Sequence, residues 1–179
     1  RGGKRRVIAC GSLGQMDRFD SFREAPLMLP GEMAAVMEDP QRFPFIDKVL
    51  AFEEQQNVLT QTTLSVAEHP FLNDHAIDGV PYHPGVMAME MFAQNALLLC
   101  PHSCLAGFEN VTFGLPVKVL KGSIRVRVEA SILRIDGERT WVNCRLVSDL
   151  VNSKGVVFGE REHHQATVRL VKKSDDLRA

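Results

Sequence analysis

One segment narrows the possible folds of this chain more than any other. Residues 86–100, from Val86 to Cys100, form its longest apolar run, rich in Met, Ala, Leu and Phe and broken only by Glu90, Gln94 and Asn95. These residue types favour helix, and Pro101 stops it. A helix apolar nearly all round must be covered on most sides. It is also shorter than the roughly 18 residues needed to cross a bilayer. The rest of the chain therefore has to wrap it.

The flanking sequence has the pattern to do so. Strands are expected at Phe45–Phe52 and Asn57–Val66 before the helix, and at Gly107–Phe113, Ser123–Arg134, Thr140–Leu150 and Val156–Val171 after it. In Ile124-Arg125-Val126-Arg127-Val128-Glu129 charged and apolar residues alternate, the mark of a sheet with one wet and one covered face. Asp136-Gly137 and Ser153-Lys154-Gly155 fall where hairpin turns belong. Residues 69–85 hold Pro70, Gly79, Pro81, Pro84 and Gly85, so a structured loop without regular elements is expected there. A short helix is expected at Gly31–Glu38, between Pro30 and Pro40, and a short strand at Val7–Cys10. Two strands, one buried helix and four long strands make an α+β chain. The arrangement expected is a single hot-dog fold, an antiparallel sheet wrapped around one central helix.

Bulk properties narrow the function classes. At 179 residues the chain suits one domain with an extension. Its 21 Lys and Arg balance 22 Asp and Glu, so no nucleic-acid partner is expected, and the basic start (Arg1, Lys4, Arg5, Arg6) reads as a solvated tail. Cys10, Cys100, Cys104 and Cys144 are irregularly spaced. Cys100, His102 and Cys104 lack a second ligand pair at metal-binding spacing, since His163 and His164 are adjacent and remote, so no metal is expected. Reduced thiols and the lack of a visible signal peptide or membrane span point to a cytoplasmic protein.

The chemistry concentrates before and within the helix. Glu90 sits among Met87, Met89, Met91, Phe92 and Ala93, and burial there would raise its pKa unless it were partnered; the alternative is a Glu at the one wet edge of the helix. Gln94, one turn later, can hydrogen-bond it. Gly79 supplies a backbone shape that a side chain would forbid. Pro84-Gly85 opens the helix, and Gly85 leaves its N–H approachable at the positive end of the helix dipole. His75 is a base able to work near neutral pH. His69 and His83 are rival bases, but His69 precedes Pro70 like a loop anchor and His83 abuts the helix start. A base, an acid and an oxyanion donor are what loss of water from a β-hydroxyacyl thioester needs. The stretch contains no Ser or Cys nucleophile.

At these residues the sequence resembles the β-hydroxyacyl-ACP dehydratases of fatty-acid and polyketide synthesis. His75-xxx-Gly79-xxxx-Pro84 matches the HxxxGxxxxP motif of polyketide synthase dehydratase domains, with His69-Pro70 before it. Pro84-Gly85-Val86 followed by Glu90-xxx-Gln94 looks like the helix of stand-alone bacterial fatty-acid dehydratases, and Arg42–Leu50 is similar to their opening strand. The resemblance implies His75 as base, Glu90 as acid, Gln94 as the acid's partner and Gly85 as oxyanion donor. It implies a site at a dimer interface, with His from one subunit facing the acid of the other. It also implies an acyl carrier protein as partner, substrate delivered on a phosphopantetheine arm, and no bound cofactor. The hot-dog domain is expected over residues 31–171, with 1–30 an extension or inter-domain linker and 172–179 a tail. The start at Arg1 suggests a domain cut from a multifunctional synthase. Polyketide dehydratases usually pair two hot dogs in one chain, with an Asp acid, so a single hot dog carrying Glu90 must dimerise or sit beside a neighbouring synthase domain. Two other readings remain: an acyl thioesterase on the same fold, and a non-catalytic acyl-binding or dimerisation module.

Overall fold

Strand β1 (Lys48–Glu53) turns back at once into β2 (Asn57–Ser65), whose apolar side forms the first wall of the core. Val58, Thr60, Thr62 and Leu64 alternate inward along β2 and are buried. The computed structural model describes residues 43–173, apart from the side chain of Lys121. The expected strand Val7–Cys10 and helix Gly31–Glu38, with Arg42 and residues 174–179, lie outside the described residues.

After β2 come a one-turn helix α1 (Phe71–Asp74), two short strands β3 (Ala76–Ile77) and β4 (Val80–His83), and the long helix α2 (Gly85–Leu99). The remainder is β5 (Ser103–Phe113), β6 (Val117–Lys118), the 3-10 turn η1 (Leu120–Gly122), β7 (Ser123–Asp136), β8 (Arg139–Val151) and β9 (Val157–Lys172). The main sheet is antiparallel in the order β1-β2-β7-β8-β9-β5, and β3-β4-β6 form a small second sheet. Helix α2 packs against β2, β5, β7, β8 and β9, so the sheet curls around it as a single hot dog.

The core is the seam between helix and sheet. Ala88, Met91, Phe92, Ala96 and Leu98 meet Val58, Leu64, Val126, Val128, Leu146, Val168 and Leu170, all of them buried. Each fully buried Val, Leu, Met or Phe side chain here contributes about 1.5–3 kcal/mol relative to exposure. Asn95, the polar interruption on the buried face, is satisfied twice: Thr60 Oγ1 donates to its Oδ1 at 2.7 Å, and its Nδ2 donates to the Met91 carbonyl at 2.9 Å. The alternation in β7 behaves as expected. Val126, Val128 and Ala130 face the core, while Arg127 pairs with Asp149 and Glu160 on the other face, where Arg145 also bridges Glu129, Glu160 and Glu162.

Two expectations need correcting. The first strand begins at Lys48, not Phe45: Phe45 and Ile46 precede it as buried plugs. The Phe45 N–H bonds to the Gln94 side chain on the helix and its carbonyl accepts from Thr62 Oγ1 on β2, so these backbone groups are satisfied by side chains rather than by a strand ladder. Residues 69–85 are not an irregular loop but hold α1 and a β3–β4 hairpin. Ile77 pairs with Val80 across Asp78 (φ 50°) and Gly79 (φ 75°). Two consecutive positive φ values make the mirror-image turn that suits a two-residue hairpin, for which Asp-Gly is a standard signature. Gly79 thus takes a positive φ, a backbone shape that strains residues with a side chain.

Candidate active site

The β3–β4 hairpin places His75. The Tyr82 N–H donates to the His75 carbonyl at 2.9 Å, and the Tyr82 carbonyl lies 2.9 Å from His75 Nδ1. A carbonyl only accepts, so Nδ1 carries the proton and donates it. The lone pair is left on Nε2. His75 is solvent-exposed and lines an open cavity of about 600 Å³, with Ile77, Tyr82, His83, Gly85, Val86, Phe113, Gly114, Pro116 and His164.

Gly85 reaches the same cavity from the start of α2. Its N–H lies in the first turn, where no intrahelical acceptor exists, at the positive end of the dipole. A Cβ at this position would stand 2.7 Å from two ring carbons of Phe113. Glycine therefore lets the Phe113 ring close over the helix start. Sequence reasoning had no access to this wall. Gly114, Pro116 and His164 come to the cavity because the Gly114 N–H donates to the His163 carbonyl at 2.8 Å, and His163 Nδ1–H donates to the Leu115 carbonyl at 2.9 Å. Ser148 Oγ lies 2.8 Å from the other nitrogen of His163, which accepts its proton. These contacts join β5 to β8 and β9 across dozens of residues, and no local motif announces them.

The rival histidines are accounted for by packing. His69 stacks on Phe45 (centroids 5.5 Å apart), and its Nδ1 accepts from the Ser65 N–H at 3.4 Å, as an anchor. His83 is buried between Phe45 and Phe71, and burial, helped by the neighbouring imidazoles of His164, His69, His75 and His163, pushes its pKa down to about 3. It is neutral at working pH and too weak a base for α-proton removal. The depressed value has a stability consequence. An unfolded chain protonates this histidine below its ordinary value of 6.5 while the folded chain resists until about 3, so stability is full above pH 6.5 and drains away as pH falls through that window. The loss reaches about 2 kcal/mol at pH 5. Denaturant titrations at pH 7 and pH 5 should show a larger drop in the native protein than in His83→Phe, which keeps the contributions of His163 and His164, both also lowered by burial; equal drops would rule out His83 as a source.

The structure corrects the expectation for Glu90. The helix does not bury it: Glu90 is exposed, on the same stripe of α2 as Val86, one turn away. The sheet covers the other faces of α2 and leaves this stripe open. Glu90 is also not among the residues lining the cavity that holds His75. Gln94 is where the sequence placed it. Buried, it donates from Nε2 to Glu90 Oε1 at 2.9 Å and accepts the Phe45 N–H on Oε1 at 3.0 Å. One amide thus orients the carboxylate and holds the chain entering β1. Gln94→Leu should cost about 1–3 kcal/mol by orphaning the buried Phe45 N–H. Gln94→Glu, which keeps the acceptor, should recover part of that loss in a urea melt; no loss on Gln94→Leu would contradict the tether.

Among the described residues no group of three or more His, Cys, Asp or Glu is arranged to hold a metal ion. No helix among them is long and apolar enough to cross a membrane.

The model of the polyketide synthase dehydratase domain matches residues 44–141. The 3-hydroxyacyl-[acyl-carrier-protein] dehydratases FabZ of Cupriavidus taiwanensis and Cupriavidus necator are each 40% identical over 62 residues, 34% of this chain and 40% of theirs, so the chain spans less than half the length of these curated relatives. The dehydratase domain from the CurF module of the curacin polyketide synthase superposes with a TM-score of 0.59 at 13% identity, covering 74% of this chain and 46% of that one. A hexameric broad-specificity acyl-coenzyme A thioesterase superposes with a TM-score of 0.51 at 13% identity, covering 70% and 85%. At such identities these superpositions establish the hot-dog fold, which dehydratases and thioesterases share.

Proposed function

This chain belongs to the polyketide synthase dehydratase domain family, and from that premise we propose that it dehydrates β-hydroxyacyl thioesters carried on an acyl carrier protein to trans-α,β-enoyl thioesters. The observation that carries the reading is the tautomer of His75: Nδ1–H is committed to the Tyr82 carbonyl, and the basic Nε2 is left on a side chain sharing a cavity with the Gly85 N–H. His75 Nε2 takes the α-proton. The Gly85 N–H stabilises the thioester oxygen as it gains negative charge. A carboxylic acid protonates the β-hydroxyl, water leaves, and the electron pair of the broken Cα–H bond becomes the new double bond. The substrate arrives on its phosphopantetheine arm, and the chain supplies no cofactor of its own.

The acid is Glu90, supplied by a second copy. One chain leaves its Glu90 outside the cavity, on an uncovered stripe of α2. Around the cavity mouth Ile77, Val86, Phe113 and Leu115 are each more than half exposed, and among the described residues β5 has a pairing partner on one side only. An apolar rim beside an open strand edge is a surface that a symmetric copy, or a neighbouring synthase domain, covers. With the homodimer formed, the partner subunit's Glu90 completes the site, oriented by its own Gln94.

The test is to incubate the protein with a β-hydroxyacyl pantetheine thioester and follow the product by mass spectrometry. Loss of one water with the thioester intact is expected. Release of the free acid would replace this reading with thioester hydrolysis, and an unchanged but bound substrate would replace it with an acyl-binding module.

A further inference from the structure

Two imidazoles in the cavity wall have no part in that mechanism. His83, at the end of β4, is 3% exposed, and His164, on β9, is 5% exposed. Both line the cavity, and none of their four ring nitrogens has a hydrogen-bond partner among the described residues. The other histidines of the region are partnered: His75 by the Tyr82 carbonyl, His69 by the Ser65 N–H, and His163 by the Leu115 carbonyl and Ser148 Oγ.

Buried polar atoms in folded proteins are almost always hydrogen-bonded, and leaving one unpaired is costly. What surrounds these rings is largely apolar. His83 meets the rings of Phe45 at 6.4 Å and Phe71 at 6.3 Å, and His164 meets the edge of Phe113 at 5.6 Å. The cavity is the side from which a partner can come. Burial lowers the pKa of both imidazoles and so favours the neutral form, in which each presents one N–H donor and one lone pair.

The reacting groups are already served, by His75, Gly85 and the partner subunit's Glu90. A saturated acyl chain entering the cavity would return no hydrogen bond to either imidazole. A chain with a hydroxyl or carbonyl further along would return one. We infer that His83 and His164 are specificity-determining residues that favour β-hydroxyacyl chains carrying a second oxygen function beyond the β-carbon over plain fatty-acyl chains. This rests on the dehydratase reading of the same site.

The experiment compares kcat/KM of the native dimer for three pantetheine thioesters of equal length: β-hydroxyoctanoyl, and its analogues with an added δ- or ζ-hydroxyl. At least one oxygenated chain should be preferred by ~10-fold or more. His164→Phe and His83→Phe should bring that ratio close to one, while His164→Gln, which keeps a donor and an acceptor, should retain most of it. Thermal melts establish which variants fold, and if His83→Phe does not, the two His164 variants decide. Parity of the native protein toward all three chains overturns the inference. So does a His164→Phe variant that loses equally on all three, because the ring would then hold a group they share. Dehydration of none of the three overturns the underlying reading instead.

Discussion

Replacing His75 by Ala lowers kcat for dehydration by about 100- to 10,000-fold, the usual contribution of a positioned general base. The side chain is exposed and, among the described residues, its one hydrogen bond is to the Tyr82 carbonyl, which water can satisfy in its place. The variant should therefore fold and melt like the native protein, so that the loss is chemical. Glu90→Gln should lose activity on the same scale while its amide still reaches Gln94, because an amide cannot give up the proton that the departing hydroxyl needs. Single-turnover mass spectrometry of both variants measures this. A His75→Ala variant retaining a tenth of native activity would remove His75 from the mechanism and reopen the search for the base.

Mixing the two dead variants should restore activity. When His75→Ala and Glu90→Gln chains exchange at equal concentration, half of the dimers are mixed, and each mixed dimer holds one doubly altered site and one intact site. Recovery should approach about one quarter of native activity if the base and the acid of each site come from different subunits of a symmetric pair. If both come from one chain, every site in a mixed dimer carries a lesion and no activity returns. The prediction is anchored in Glu90 lying on the open stripe of α2, outside the cavity that holds its own chain's His75. Absence of recovery in samples shown by native mass spectrometry to have exchanged would place the acid in the same chain or in another residue.

Local chemistry was legible in the sequence wherever one segment's own composition decides it. Helix α2 runs over Gly85–Leu99, within one residue of its expected bounds, because its residue types, Pro84 before it and Pro101 after it act locally. The long strands of the second half sit where alternation placed them, since a period of two sorts side chains between core and water without reference to the rest of the fold. Gly79 needed only its turn, and Gln94 needed only one helical turn to reach Glu90. The β3–β4 hairpin was legible as well, in Asp78-Gly79, but the surrounding prolines masked it.

Tertiary structure decided what depends on which surface covers which. Composition alone argued that Glu90 is buried, yet the sheet closes over the other faces of α2 and leaves that stripe open, because six strands of one chain wrap only part of a helix. His83 and His164 are 81 residues apart, each an ordinary histidine in sequence, and the pairing of β5 with β9 and the packing of Phe45 and Phe71 put both in one cavity wall, buried and without hydrogen-bond partners among the described residues. The sequence alone settles what each segment favours, because propensity and periodicity are properties of neighbours along the chain. Burial and hydrogen-bond satisfaction belong to neighbours in space, and these determine that His75 stands exposed, that His69 and His163 are anchored, and that His83 and His164 are buried with no hydrogen-bond partner among the described residues.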